Sequence, residues 1–97
     1  MADVLTADEV AKALNRLTGW TGTPERISRT VTATGVRRTD LLAEVASAAD
    51  ALDHHPIVTE TDETVTFAVW THSAGGVTVK DLELAARIDE LAASAEH

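Results

Sequence analysis

Hydrophobic and polar positions follow two different periods along the chain, and each change of period marks a new element. Val10, Leu14 and Leu17 recur three and four apart, which places them on one stripe of an α-helix. Thr6 and Glu9 stand ahead of that stripe at capping-box spacing, where each side chain satisfies a backbone N–H at the helix start. Gly19 closes the run, so the spacing predicts a first helix over about 7 to 18.

The next stretch, "TPERISRTVTAT", reads with period two. Ile27, Arg29, Val31 and Ala33 fall on one side, and Ser28, Thr30 and Thr32 on the other. That alternation, with its β-branched content, predicts one or two strands. From Thr39 the helical period returns: Leu41, Val45, Ala48 and Leu52 form the stripe of a second helix. The "DHHP" segment ends it, because a proline disfavours helical geometry in the residue before it.

"PIVTE" and "TVTFAVWTH" then predict strands at 57–60 and 64–71 about an acidic turn at Asp62–Glu63. Val65, Phe67 and Val69 face one way, while Thr66, Ala68, Trp70 and His72 face the other. "SAGG" reads as a flexible loop. Thr78 and Asp81 repeat the capping pattern and open a third helix with Leu84, Ile88 and Leu91 inward, and "ASAEH" reads as a frayed tail in which His97 has no role. Strand pairs separated by helices predict an α+β layer fold, an antiparallel sheet covered by helices on one face.

Composition narrows the function. At 97 residues, the chain reads as one domain over 1–97, near the lower end of what builds its own core, so help from a second chain is expected. Sixteen acidic residues against eight basic ones give a net charge of -8. A field of that sign repels phosphate backbones and anionic bilayers, so nucleic acid and membrane surfaces are not expected partners. No apolar run approaches the ~20 residues of a membrane span, and no signal-peptide pattern opens the chain. Cysteine is absent, which excludes thiolate chemistry and fits a cytoplasmic protein.

The candidate chemistry lies in "DHHPIVTETDETVTFAVWTH". His54 and His55 end the second helix, and His72 ends the last strand. Taken one at a time, the pair serves as a helix C-terminal cap and His72 as a surface residue. Taken together, a hairpin of 57–60 with 64–71 brings the residues after Leu52 near those after Trp70, and all three imidazoles share one edge of the sheet. Three imidazoles can bind zinc, but an adjacent pair rarely points both rings at one ion, so no metal is expected. They can also act as acid and base near neutrality, which suits a dehydration. Asp81 is read either as an orienting group for His72, as a hold on substrate, or as the capping carboxylate alone. Trp70 is read as a packing or interface residue.

The segments "HHP", "TH" and "GVTVKD", in this order and spacing, resemble the pterin-4a-carbinolamine dehydratases, also called 4a-hydroxytetrahydrobiopterin dehydratases. The family pattern carries an acidic residue four positions before its first histidine, matched by Asp50, and then His54, His55 and Pro56. It continues with a histidine at a strand end, matched by His72 after Thr71, and an aspartate opening the last helix, matched by Asp81. "LTGW" at Leu17–Trp20 resembles the family's end of helix 1. The resemblance implies a four-stranded antiparallel sheet with three helices packed on one face, assembled as a homodimer or homotetramer. It also implies loss of water from a 4a-hydroxytetrahydropterin to give the quinonoid dihydropterin, in tetrahydrobiopterin recycling, without metal or cofactor. Carried over, His54 and His72 supply acid–base catalysis with Asp81 in support, and His55, Pro56, Thr71 and Asp50 hold the pterin.

The chain departs from the family at Asp62, where an aromatic is usual, and at Thr30 and Thr32, where phenylalanines are frequent. Aromatics make up only 3% of it. The departures motivate an alternative, a non-catalytic dimerisation or assembly module that binds a protein partner. Relatives of the fold serve a transcription factor or a carbon-fixing enzyme in that way. The retained histidines favour the enzyme.

Overall fold

The computed structural model describes residues 3–95. Its elements run α1 (Ala7–Arg16), β1 (Trp20–Thr23), β2 (Arg26–Thr32), α2 (Gly35–Leu52), β3 (Ile57–Glu60), β4 (Thr64–Val69) and α3 (Val79–Ala95). The four strands form one antiparallel sheet in the order β1-β2-β4-β3. Alternation assigns its faces. Ile27 and Val31 of β2 and Val65, Phe67 and Val69 of β4 are buried, while their neighbours Ser28, Thr30, Thr66 and Ala68 are not. The buried face meets Leu41, Val45 and Ala49 of α2 and Leu84, Ala85 and Ile88 of α3 in one apolar cluster. The fold is α+β, three helices on one face of a four-stranded sheet. No helix among the described residues is long and apolar enough to cross a membrane.

The capping box at Thr6 and Glu9 forms, with both reciprocal bonds in place. Several boundaries differ from the expected ones, each for a physical reason. α1 stops at Arg16, two residues short of 18, where Leu17 leaves helical geometry and Trp20 starts a separate short strand. α2 starts at Gly35 rather than Thr39, and its first turn is hidden from a periodicity search because Val36 there is 75% exposed. That end of α2 is held instead by Arg38, whose Nε donates to the Ala33 carbonyl at 2.8 Å. β4 ends at Val69, not 71. The "SAGG" segment is no open loop: Thr71 and Gly76 pair as a bridge, and the Thr71 carbonyl accepts N–H groups from Ala74, Gly75 and Gly76. α3 continues to Ala95, through part of the expected frayed tail, while Glu96 and His97 lie outside the described residues.

Trp20 buries its ring and donates its indole N–H to Asp89 Oδ1 of α3 at 2.6 Å. The same oxygen accepts from Arg29 of β2 at 2.5 Å. This clamp between the β1–β2 hairpin and α3 has no signature in the linear pattern. On the uncovered face, Arg26 lies over the Trp70 ring, 5.6 Å from its centroid, so Trp70 packs against a cation there.

Candidate functional site

Three segments converge at one end of the sheet. The first is the exit from α2. Asp53 ends the helix in the left-handed conformation, with φ 52° and ψ 43°, a role that aspartate tolerates better than most residues. The His54 N–H then returns to the Ala49 carbonyl at 3.0 Å, which turns the chain back over the helix end. Asp53, three residues ahead of Pro56, therefore does most of the stopping expected of the proline.

The second segment is the end of β4. β3 pairs with β4 from Ile57↔Ala68 to Glu60↔Val65, and the same register continued outward runs the His54 segment beside Thr71. The third is the start of α3, where Asp81 lies in the first turn and is fully buried.

The three meet at the Asp81 carboxylate. His54 Nε2 forms a hydrogen bond with Oδ1. Oδ2 accepts the Thr71 hydroxyl at 2.8 Å and the Thr78 backbone N–H at 2.8 Å. The Thr78 hydroxyl lies 2.7 Å from that of Thr71. The capping pattern at Thr78 and Asp81 is thus only half used as a cap, since the hydroxyl turns toward Thr71. His54 keeps 13% of its side chain exposed, so a buried carboxylate seats an imidazole that solvent still reaches.

The other candidates lie on the same segments. His55 Nε2 bonds Asp50 Oδ1 at 2.7 Å on the surface, the two side chains being 58% and 76% exposed. Such a pair contributes little stability, about 0–1 kcal/mol. Pro56 is half-buried between His55 and the start of β3. His72 follows Thr71 directly, exposed in the 72–75 turn, and its ring bonds no described residue. Asp81 therefore orients His54, and the reading that it orients His72 gives way. Thr78 was missed as a site residue because its capping role accounts for it completely in the linear sequence.

Among the described residues, no three His, Asp or Glu side chains are grouped so as to hold a metal ion. A separate open groove of about 1050 Å³ lies along α1 and the start of α3, lined by Leu5, Lys12, Arg16, Leu82 and Ala86 among others. None of the histidines lines it. What the convergent cluster offers chemically is one seated imidazole, a second pair beside it and a third ring on the adjoining turn.

A family model described as "Pterin 4 alpha carbinolamine dehydratase" matches residues 3–91. A Nocardia farcinica protein named "Putative pterin-4-alpha-carbinolamine dehydratase" is 44% identical over 91 residues, covering 93% of this chain and 96% of its own. A Streptomyces coelicolor protein of the same name is 40% identical, covering 95% of this chain and 93% of its own. Among solved structures, a Brucella melitensis protein described as "transcriptional coactivator/pterin dehydratase" superposes with a TM-score of 0.87 at 31% identity. That match covers 93% of this chain and 99% of the Brucella one.

Proposed function

The chain belongs to the pterin-4-alpha-carbinolamine dehydratase family, and from that premise we propose that it removes water from a 4a-hydroxytetrahydropterin to give the quinonoid dihydropterin. The observation that carries the reading is His54 seated on the buried Asp81 carboxylate while part of its ring stays open to solvent. In the reaction the C4a–O bond breaks as an acid protonates the leaving hydroxyl. The N5 lone pair forms the C4a=N5 bond, and a base collects the proton from N5. Hydroxide leaves poorly, so the proton donor matters most. Positioned groups of this kind contribute ~10² to 10⁴ in rate.

His54 and His72 are the acid–base pair in this proposal, with Asp81 positioning His54. His55, oriented by Asp50, holds the pterin beside Pro56 and Thr71. The substitutions at Asp62, Thr30 and Thr32 bear on which pterin fits, since none of the three contacts the Asp81 cluster. The protein acts without a cofactor, as a homodimer or homotetramer.

Stopped-flow absorbance with enzymatically generated 4a-hydroxytetrahydropterin tests the proposal. Added protein is expected to accelerate the spontaneous dehydration, and His54→Ala to abolish most of the acceleration. An unchanged spontaneous rate discards the enzyme. Capture of a stoichiometric protein partner that binds equally well to His54→Ala and His72→Ala then supports the assembly module instead.

A further inference from the structure

The hydrogen bonds at Asp81 have a direction, and that direction reaches the imidazole. Each threonine hydroxyl has one hydrogen to donate. In one order Thr78 donates to Thr71 and Thr71 donates to Asp81 Oδ2, across 2.7 and 2.8 Å. In the reverse order Thr71 donates to Thr78 and Thr78 to the carboxylate, across 2.7 and 3.5 Å. Hydroxyl-to-carboxylate bonds run about 2.5–2.7 Å, so the 3.5 Å contact gives almost nothing. The first order wins. Oδ2 is then purely an acceptor, filled by the Thr71 hydroxyl and the Thr78 N–H. Oδ1 remains to accept from His54 Nε2.

We infer that Thr78 is a positioning residue for proton transfer: its hydroxyl aims the Thr71 hydrogen at Asp81, and the carboxylate so anchored keeps the His54 proton on Nε2, leaving Nδ1 to exchange protons with substrate. Among the described residues nothing hydrogen-bonds Nδ1, whereas Nε2 is committed to the buried carboxylate. Without the Thr78 hydroxyl, Thr71 is free to rotate its hydrogen away, and the carboxylate loses one of the donors that fix its orientation. The inference rests on the reading of His54 as an acid–base group and adds which nitrogen works and what sets it.

Long-range ¹H–¹⁵N correlation spectra of the uniformly labelled native protein decide the first part. Neutral His54 is expected to show a protonated Nε2 and a bare Nδ1. The opposite tautomer, which a hydrogen on Asp81 Oδ1 would impose, overturns the inference whether or not any variant folds. Thr78→Val removes the hydroxyl and keeps the backbone donor. It is expected to leave the proton on Nε2, since the carboxylate still accepts, but to shift the Nε2–H resonance as the Asp81 bond loosens and to lower kcat about tenfold, the worth of one ordinary hydrogen bond. Thr78→Ser is expected to restore both. A Thr78→Val spectrum with the native His54 Nε2–H resonance also overturns the role of Thr78. A native chain with Nε2–H that dehydrates no pterin sinks the reaction and upholds the proton order.

Discussion

Asp81 Oδ2 takes the Thr78 N–H at the first turn of α3 while Oδ1 takes His54, so one buried carboxylate both starts a helix and seats an imidazole. Asp81→Asn separates the two duties. The amide oxygen still accepts from Thr71 and Thr78, which turns its NH₂ toward His54 Nε2 and forces that nitrogen to become an acceptor. Dehydration is expected to slow by about 10²-fold or more, within the range of a positioned acid–base group, while stability in urea falls by only about 1 kcal/mol. A native stopped-flow rate in Asp81→Asn refutes the positioning role. Asp81→Ala differs: it leaves buried donors unpaired and is expected to cost about 2–4 kcal/mol in the same urea experiment. At this scale the sequence displays the histidines as candidates and hides their hydrogen-bond partners. Asp81 and Thr78 sit at capping spacing, a local explanation that hides a tertiary one. The bond from Asp81 to His54 joins the exit of α2 to the start of α3 and exists only once those elements have packed together.

The elements that position the site were legible wherever one face is buried along their whole length. β4 shows this best, with Val65, Phe67 and Val69 alternating against half-buried neighbours. The first turn of α2 and the short β1 were not, because exposed ends carry no periodic signal. The turn after β4 was misread for a related reason. Glycine-rich composition reads as flexible, yet Gly76 is held tightly between its bridge to Thr71 and the segments at Pro24 and Val4. A Cβ on Gly76 would stand 2.6 Å from the Pro24 carbonyl oxygen and 2.9 Å from a Val4 methyl. Backbone cannot yield as a side-chain tip does, so Gly76→Ala is expected to cost about 1–3 kcal/mol, read as a lower urea midpoint with an unchanged m-value. The strain falls on the turn that presents Thr71 and His72, and the dehydration rate should drop with it. A variant of native stability shows that the close approach to Pro24 is readily relieved.

A chain of this size has little core to spare, and this one leaves one sheet face and both sheet edges uncovered. β3 is the more exposed edge: all four of its residues are accessible, including Ile57 at 55% and Val58 at 41%. An edge strand with free backbone donors and two exposed aliphatic side chains invites pairing with another strand, and nothing in "PIVTE" blunts it with a lysine. Charge opposes that pairing, because two copies each carry a net charge of -8. Salt screens such repulsion beyond about 8 Å at physiological ionic strength, whereas apolar contacts survive it. The proposed dimer or tetramer is therefore expected to tighten as salt rises, the reverse of an assembly held by ion pairs. Light scattering on a sizing column should give two or four times 10.3 kDa, and the urea midpoint should climb with protein concentration, as mass action requires. Ile57→Lys is expected to shift the mass toward one subunit. If the native chain stays monomeric in high salt, or if Ile57→Lys assembles as well as the native protein, β3 is not the edge through which copies join.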